Sequence, residues 1–272
     1  MTIKNNYSTS FKLFLLIRNS MYGVIGLLNR LTPTSHAPRI SVYCYHSISD
    51  DGWRFSTTES DFKKHIEMLL AKQTPITLRD LPLYMRGEQK LVKDAFVITF
   101  DDGYADVLAV KDFLKEKNIR PTIFALSPFK TPNYIELDAV RPLISVAQMK
   151  ELQASGWEIG SHSKTHADFA HLSPLDRDDE IRGAKVELEE ALGCPLTSFA
   201  YPKGVYDAEI VEATKDAGYT FATTIDEGYV TPLTNPLLIP RVGVDGTHTL
   251  AQFPHLASPL AMLLRRVIKK LL

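Results

Sequence analysis

Only two cysteines, Cys44 and Cys194, occur in 272 residues, and no C-x-x-C pair. A disulfide scaffold and a cysteine zinc site are therefore excluded, and both residues read as buried thiols. Charge of one sign is also lacking. Lys and Arg number 31 against 32 Asp and Glu, for a net charge of −1, so no overall field draws in a polyanion, and nucleic acid is not an expected partner. Long apolar runs are missing too. The most apolar stretch, Phe11 to Leu31, is interrupted by Arg18, Asn19 and Ser20, which falls short of the roughly 18 uncharged residues of a spanning helix. Its inner run, Leu13 to Ile17, is short and no small-x-small site follows closely, so it does not read as a cleavable signal. The expected location is cytoplasmic, or peripheral at the cytoplasmic membrane. There is no internal repeat, no low-complexity tract and no linker rich in Pro, Gly or Ser.

What is present is the composition of a soluble globular chain, 44% hydrophobic and 23% charged. Three parts are expected: an apolar N-terminal segment over 1–36, one catalytic-size domain over 37–250, and a basic amphipathic helix over 251–272. In that last part Leu260, Leu263, Leu264, Val267, Ile268 and Leu271 recur at helical spacing, with Arg265, Arg266, Lys269 and Lys270 between them. Such a helix either docks on its own domain or lies on an anionic membrane face together with Phe11 to Leu31.

Between the ends, short apolar runs alternate with helical patterns, the signature of βα units and a mainly parallel sheet. Strands are expected at Ile40–Tyr45, Phe96–Phe100, Thr122–Leu126, Trp157–Gly160, Thr197–Tyr201 and Phe221–Thr224. Helices are expected around Phe62–Leu70, Val107–Lys117, Ser145–Ala154, from Ser173-Pro174 to Gly193, and over Ala208–Ala217.

Parallel sheets bind ligands at the C-terminal ends of their strands, so polar residues just after apolar runs are informative. After Val97-Ile98-Thr99-Phe100 come Asp101 and Asp102, then Gly103-Tyr104. This is either an Asp-Asp-Gly turn or a pair of carboxylates whose side chains diverge, one for a metal and one for substrate or water. After Glu158-Ile159-Gly160 come His162 and His166, which share a face if that turn is helical. With Asp102 they make a two-His, one-carboxylate set that leaves coordination positions open. Nearby His171 reads as a surface loop residue. The strand Ser198-Phe199-Ala200-Tyr201 breaks at Pro202-Lys203-Gly204; this is an ordinary strand exit or a source of unpaired N–H donors for an oxyanion. His46 ends the first strand, Tyr43-Cys44-Tyr45-His46, where a lone His reads as a rim residue or as part of a site.

In this order, these segments resemble the polysaccharide deacetylase family (the NodB homology domain, carbohydrate esterase family 4) over roughly residues 39 to 245. Thr99-Phe100-Asp101-Asp102-Gly103-Tyr104 is close to its first motif, and His162-Ser163-Lys164-Thr165-His166 fits its H-[S/T]-x-x-H pattern. The resemblance implies a distorted (β/α)7 barrel, a divalent metal, most often Zn2+, on Asp102, His162 and His166, and Asp101 as general base. A late Leu-x-His motif, the family's usual source of the acid, is absent. Tyr43-Cys44-Tyr45-His46 resembles the permuted branch in which this element opens the domain, which implies His46 as general acid. The family's Arg-x-Pro-Tyr is here Ala200-Tyr201-Pro202-Lys203. The Arg that orients the base is thus missing there, and Arg241 is placed to replace it. Tyr104, Tyr201, Pro202 and Lys203 are the expected substrate and oxyanion contacts. The implied activity is removal of an N-acetyl or other small N-acyl group from an amino sugar in a polysaccharide, peptidoglycan or lipid-linked glycan. The alternative is a non-catalytic, metal-containing carbohydrate-binding domain.

Overall fold

A computed structural model describes residues 9–31, 37–133, 137 and 141–271. Seven strands form one curled, all-parallel sheet: β1 (Ile40–Tyr45), β2 (Ala95–Phe100), β3 (Thr122–Ala125), β4 (Glu158–Ser161), β5 (Ser198–Ala200), β6 (Phe221–Thr223) and β7 (Val242–Gly243). The spatial order is β7-β1-β2-β3-β4-β5-β6, and a two-residue strand, Thr74–Pro75, also pairs with β2. Six of the seven fall where the apolar runs place them. The seventh, β7, is only two residues long and carries no pattern of its own.

That short strand is what closes the barrel. The chain before it runs along β6, where Ala222 N–H donates to Pro236 O and Ile239 N–H returns to Ala222 O, each at 2.9 Å. It then crosses to β1, pairing Val242 with Tyr43 and Gly243 with Cys44. One segment thus bridges the two edges of the sheet, and Arg241 lies in the seam.

Side-chain alternation divides the interior from the outside. Ile40, Val42, Ala95, Val97, Phe124 and Ala200 pack in one buried cluster with Ile239 from the seam. The opposite parity, including Tyr43, Tyr45, Phe96, Ile98 and Phe100, packs in a larger cluster with the surrounding helices. Every residue of β1 and β2 is buried, as expected of a parallel sheet covered on both faces.

The helices begin and end on the expected signals. Thr58 caps helix Glu59–Leu70 by accepting from Asp61 N–H, and Ser145 forms a capping box with Gln148 at Val146–Ala154. The helix opened by Ser173-Pro174 reaches the left-handed Gly193, but Asp179–Gly183 in its middle widens into a π turn. The stretch expected as one helix from Val107 begins as a 3₁₀ segment, Ala105–Val110, before helix Lys111–Glu116.

Both termini are helical, Thr9–Leu31 and Pro259–Leu271. Tyr22, Ile25, Phe253, Leu256, Ala261 and Met262 sit in the main core cluster, so both terminal parts pack on the barrel. Residues 1–8 and 32–36 of the expected N-terminal segment, and the side chains of Ile268, Lys269, Lys270 and Leu271, lie outside the described residues. No helix among the described residues is long and apolar enough to cross a membrane.

Candidate active site

The site is built at the C-terminal ends of β1, β2, β4 and β5. Asp101 follows β2 at the parity of Ala95, Val97 and Thr99, so its carboxylate points into the barrel. There it meets Arg241 in a two-armed ion pair, Nη1 to Oδ1 and Nη2 to Oδ2, both at 2.6 Å. Arg241 is itself fixed by Nε–H to Thr224 O at 2.8 Å and Nη1 to Thr99 Oγ1 at 3.2 Å. The thiol of Cys44, on β1, donates to Asp101 Oδ2 at 3.4 Å. Burial alone would raise the Asp101 carboxyl. The adjacent guanidinium outweighs it and holds Asp101 well below the usual carboxylate range. Burial pushes the Cys44 thiol far up, which keeps it neutral.

Asp102 leaves this parity because its backbone is left-handed (φ 66°), as is that of Gly103 (φ 70°). A side chain at Gly103 would also meet the backbone of Ala125 at 3.1 Å, so only glycine fits this turn. The turn aims Asp102 Oδ1 at two imidazoles, His162 Nε2 at 3.3 Å and His166 Nε2 at 3.5 Å. The expectation that these histidines share a helical face is corrected. His162 directly follows β4, and the loop bends through Ser163 (φ 71°) and His166 (φ 63°). Four of the five non-glycine residues with positive φ among the described residues are Asp102, Ser163, His166 and Lys203. Backbone strain is concentrated here, as is common where a site dictates the chain path.

The loop is held from below by Glu180 in the π turn. Its Oε2 accepts Lys164 N–H and Thr165 N–H, both at 2.9 Å, and its Oε1 accepts the Thr165 hydroxyl at 2.7 Å. His162 Nδ1 lies 2.8 Å from Ala200 O. A carbonyl only accepts, so Nδ1 carries a proton, which leaves Nε2 as the ring nitrogen that faces Asp102. Burial, then the neighbouring His162, lowers the His166 imidazole to about 4, which keeps it neutral and able to bind a cation. The donor atoms of Asp102, His162 and His166 all lie within 4.8 Å of one another and all three residues are buried. Two imidazoles and a carboxylate at this spacing fit a divalent cation of the zinc type, with positions left for other ligands.

These residues open on a cleft of about 330 Å³ that also takes in His46, Arg54, Phe55, Tyr201 and Lys203. His46 packs on Phe55 with ring centroids 4.9 Å apart, and its buried Nδ1 has no hydrogen-bond partner. The chain leaving it is pinned by Asp106, which accepts the Ser47 hydroxyl at 2.6 Å and Ile48 N–H at 3.1 Å.

The residues expected as substrate and oxyanion contacts differ in exposure and in what they already bond. Tyr104 is completely buried beside Asp102, with Trp53 against its edge. Burial and the Asp102 charge raise its phenol. Tyr201 spends its N–H on Thr223 O at 3.2 Å and its hydroxyl on Leu237 O at 3.1 Å. Pro202 has no N–H to offer. Lys203 remains at the cleft rim, left-handed at φ 56°. His171 is exposed, at the end of a short 3₁₀ turn. Cys44, Glu180, Asp106 and Arg54 were not singled out as site residues. They act by contact, and apart from Cys44, which lies beside His46 in Tyr43-Cys44-Tyr45-His46, they belong to no motif.

Comparison with known proteins completes the picture. Residues 88–222 match the family model described as polysaccharide deacetylase. The chain belongs to the polysaccharide deacetylase family. Its relatives include YxkH of Bacillus subtilis, named for the same family, 27% identical over 198 residues that cover 72% of this chain and 67% of that one. The poly-beta-1,6-N-acetyl-D-glucosamine N-deacetylase of Staphylococcus aureus is 26% identical over 213 residues, 73% of this chain and 71% of that one. Among solved structures, the Streptococcus pyogenes deacetylase PplD in complex with acetate superposes with a TM-score of 0.70 at 18% identity, covering 82% of this chain and all of that one. That likeness shows a shared (β/α) barrel. His46 and Arg241 both lie outside the stretch matched by the family model, yet the barrel brings His46 to the cleft and Arg241 to Asp101, which lines it.

Proposed function

We propose that this chain is a metal-dependent hydrolase that removes an N-acetyl, or other small N-acyl, group from an amino sugar of a glycan. The observation that carries this reading is the division of labour between adjacent carboxylates. Asp102 faces two histidines, while Asp101, which lines the same cleft, is kept ionised and fixed in angle by Arg241. Cation binding alone would need only the first set. The Asp101–Arg241 pair supplies an oriented base, which supports an enzyme over a binding module.

Asp102, His162 and His166 would hold the cation, which would polarise the acyl carbonyl and acidify a water. Asp101 accepts the proton of the attacking water, its angle set by both arms of Arg241. Lys203 sits at the rim where an oxyanion would gain from a nearby donor. The departing nitrogen must be protonated, because an amide anion is a far worse leaving group than an amine. His46, across the cleft, is the group placed to deliver that proton. The S. aureus relative, by its name, acts on poly-β-1,6-N-acetyl-D-glucosamine, and an N-acetylglucosamine polymer is the substrate class we propose to test first.

The test is to incubate zinc-loaded protein with N-acetylglucosamine oligomers, peptidoglycan fragments and lipid-linked amino sugars, and to detect released acetate or formate together with the new amine by mass spectrometry. Release that disappears in His162→Ala is the expected result. A metal-loaded protein that binds the oligomers and releases nothing would overturn the enzymatic reading.

A further inference from the structure

The helix Thr9–Leu31 is turned inside out relative to a helix that packs on its own domain. Among the described residues, its inward face makes several polar contacts. Arg18 donates from Nη1 to Thr247 Oγ1 at 2.8 Å, and Asn19 Oδ1 accepts from Gln252 Nε2 at 2.7 Å. The hydroxyl of Tyr22 accepts from Arg265 Nη1 of the C-terminal helix at 2.9 Å. Beside them, among the described residues, Ile25 and Tyr22 bring buried apolar surface. The opposite face carries Leu13, Leu16, Ile17, Val24, Leu27 and Leu28, between 42% and 65% exposed. At 100° per residue these six fall within about 120° of the circumference. Ser20 lies in the same stripe, and its hydroxyl donates back to Leu16 O at 3.0 Å. The neighbouring C-terminal helix adds Leu263 and Val267, 58% and 47% exposed.

The two terminal segments carry charge of one sign. Residues 1–49 contain five Lys and Arg and no Asp or Glu, and residues 246–272 contain four and none. All the acidic residues lie in 50–245, so the balanced total hides a positive pair of ends on a negative barrel. Of the basic groups, Arg18 and Arg265 are turned inward, Arg265 onto Glu227 at 2.6 Å. Lys12 and Arg266 are exposed.

An apolar stripe of this width, on terminal segments that carry Lys and Arg and no carboxylate of their own, matches the face of an anionic lipid bilayer. We propose that the two terminal helices dock this chain on such a surface, with the stripe in the headgroup boundary. The placement relates the surface to the cleft. Arg18 is anchored on Thr247, and next to it Gly246 N–H donates to Arg54 O at 2.8 Å. Arg54 lines the candidate active site. The docked helix therefore holds the segment that supports the cleft rim. The docking inference does not depend on the catalytic reading.

The experiment is flotation of the full chain with vesicles of phosphatidylcholine, with and without phosphatidylglycerol, alongside size-exclusion chromatography with light scattering. Wild-type protein is expected on the phosphatidylglycerol vesicles and released by added salt. The triple variant Leu16→Gln, Val24→Gln, Leu27→Gln should bind them about a hundredfold more weakly. Lys12→Gln with Arg266→Gln, which leaves the stripe intact, should weaken binding about tenfold. Triple-variant binding equal to wild type, or equal wild-type binding to neutral vesicles, would overturn the proposal. So would a wild-type dimer that the triple variant converts to monomer while neither protein binds lipid, because the stripe would then be covered by a second copy.

Discussion

Removing the Arg241 side chain tests the Asp101 pair most directly, because both partners are almost completely buried and each spends two hydrogen bonds on the other. In Arg241→Met the carboxylate keeps the Cys44 thiol as a neighbour and loses its largest compensating charge. Breaking a buried pair from one side costs about 3–5 kcal/mol, since an unpaired charge stays behind. For a domain of this size that lowers the melting temperature by about 10 °C. The double variant Asp101→Asn, Arg241→Met leaves no buried charge and should recover much of that loss, so the two substitutions should be far from additive. Activity should respond differently. Arg241→Lys keeps the charge but not the two-armed geometry, and kcat should fall by about 10- to 100-fold through misorientation, with zinc content unchanged. Urea midpoints of wild type, Asp101→Asn, Arg241→Met, the double variant and Arg241→Lys, with metal analysis and steady-state kinetics, supply the readouts. Additive stability losses, or Arg241→Lys at full rate, would refute the view that this residue both neutralises and aims Asp101.

Four further outcomes follow from the geometry. Ala at Asp102, His162 or His166 should remove bound metal and activity together, as read by metal analysis of the purified protein, whereas Asp101→Asn should keep the metal and lose about 10²–10⁴ in kcat. His46→Ala should lower deacylation over the same range with metal content intact, and a normal rate would remove His46 from the reaction. Glu180→Gln gives up charge-assisted bonds to the loop between the two histidines and should weaken zinc affinity about 10- to 100-fold in a chelator competition, with an unchanged circular dichroism spectrum. His65, stacked on Phe253 at 3.8 Å, has its imidazole lowered by burial from 6.5 to about 4. The unfolded chain therefore binds a proton that the folded one refuses. The stabilisation is complete above pH 6.5 and is lost as pH falls toward 4, by about 3 kcal/mol in all. His65→Phe should flatten that part of the pH dependence of urea unfolding, and an unchanged slope would show that another group is responsible.

Much of the barrel was legible because six strands announce themselves as short apolar runs. The chemistry was legible because Asp101-Asp102-Gly103 and His162-x-x-x-His166 stand where those runs stop. The less legible parts share one cause. The strand Val242–Gly243 has two residues and no pattern, and it exists because β1 and the chain beside β6 leave room for one more partner. Whether the two histidines meet Asp102 depends on left-handed residues 102, 163 and 166, none of them glycine. Local propensity argues against each, and only the Glu180 bonds and the Gly103 turn make those conformations the favoured ones.

The same contrast explains why Arg241 was identifiable by its place in a resemblance and not by its physics. Read alone, Ile239-Pro240-Arg241-Val242 is a cation in an apolar run, a feature that ordinarily marks a surface strand edge. In the folded chain Arg241 is 1% exposed, and burying it is tolerable only because Asp101 arrives from a strand 140 positions earlier in the sequence to meet both of its arms. Neither residue would be stable in that interior without the other. Barrel closure and base orientation therefore depend on the same contact. A substitution that frees the seam at Ile239 should consequently loosen Asp101 as well, although Ile239 touches no part of the cleft. Ile239→Ala, which leaves a cavity in the inner cluster, should cost about 2–5 kcal/mol of stability and also lower kcat at temperatures where the protein is still fully folded. A variant destabilised by that amount that nevertheless turned over at the wild-type rate would show that the seam and the base are independent.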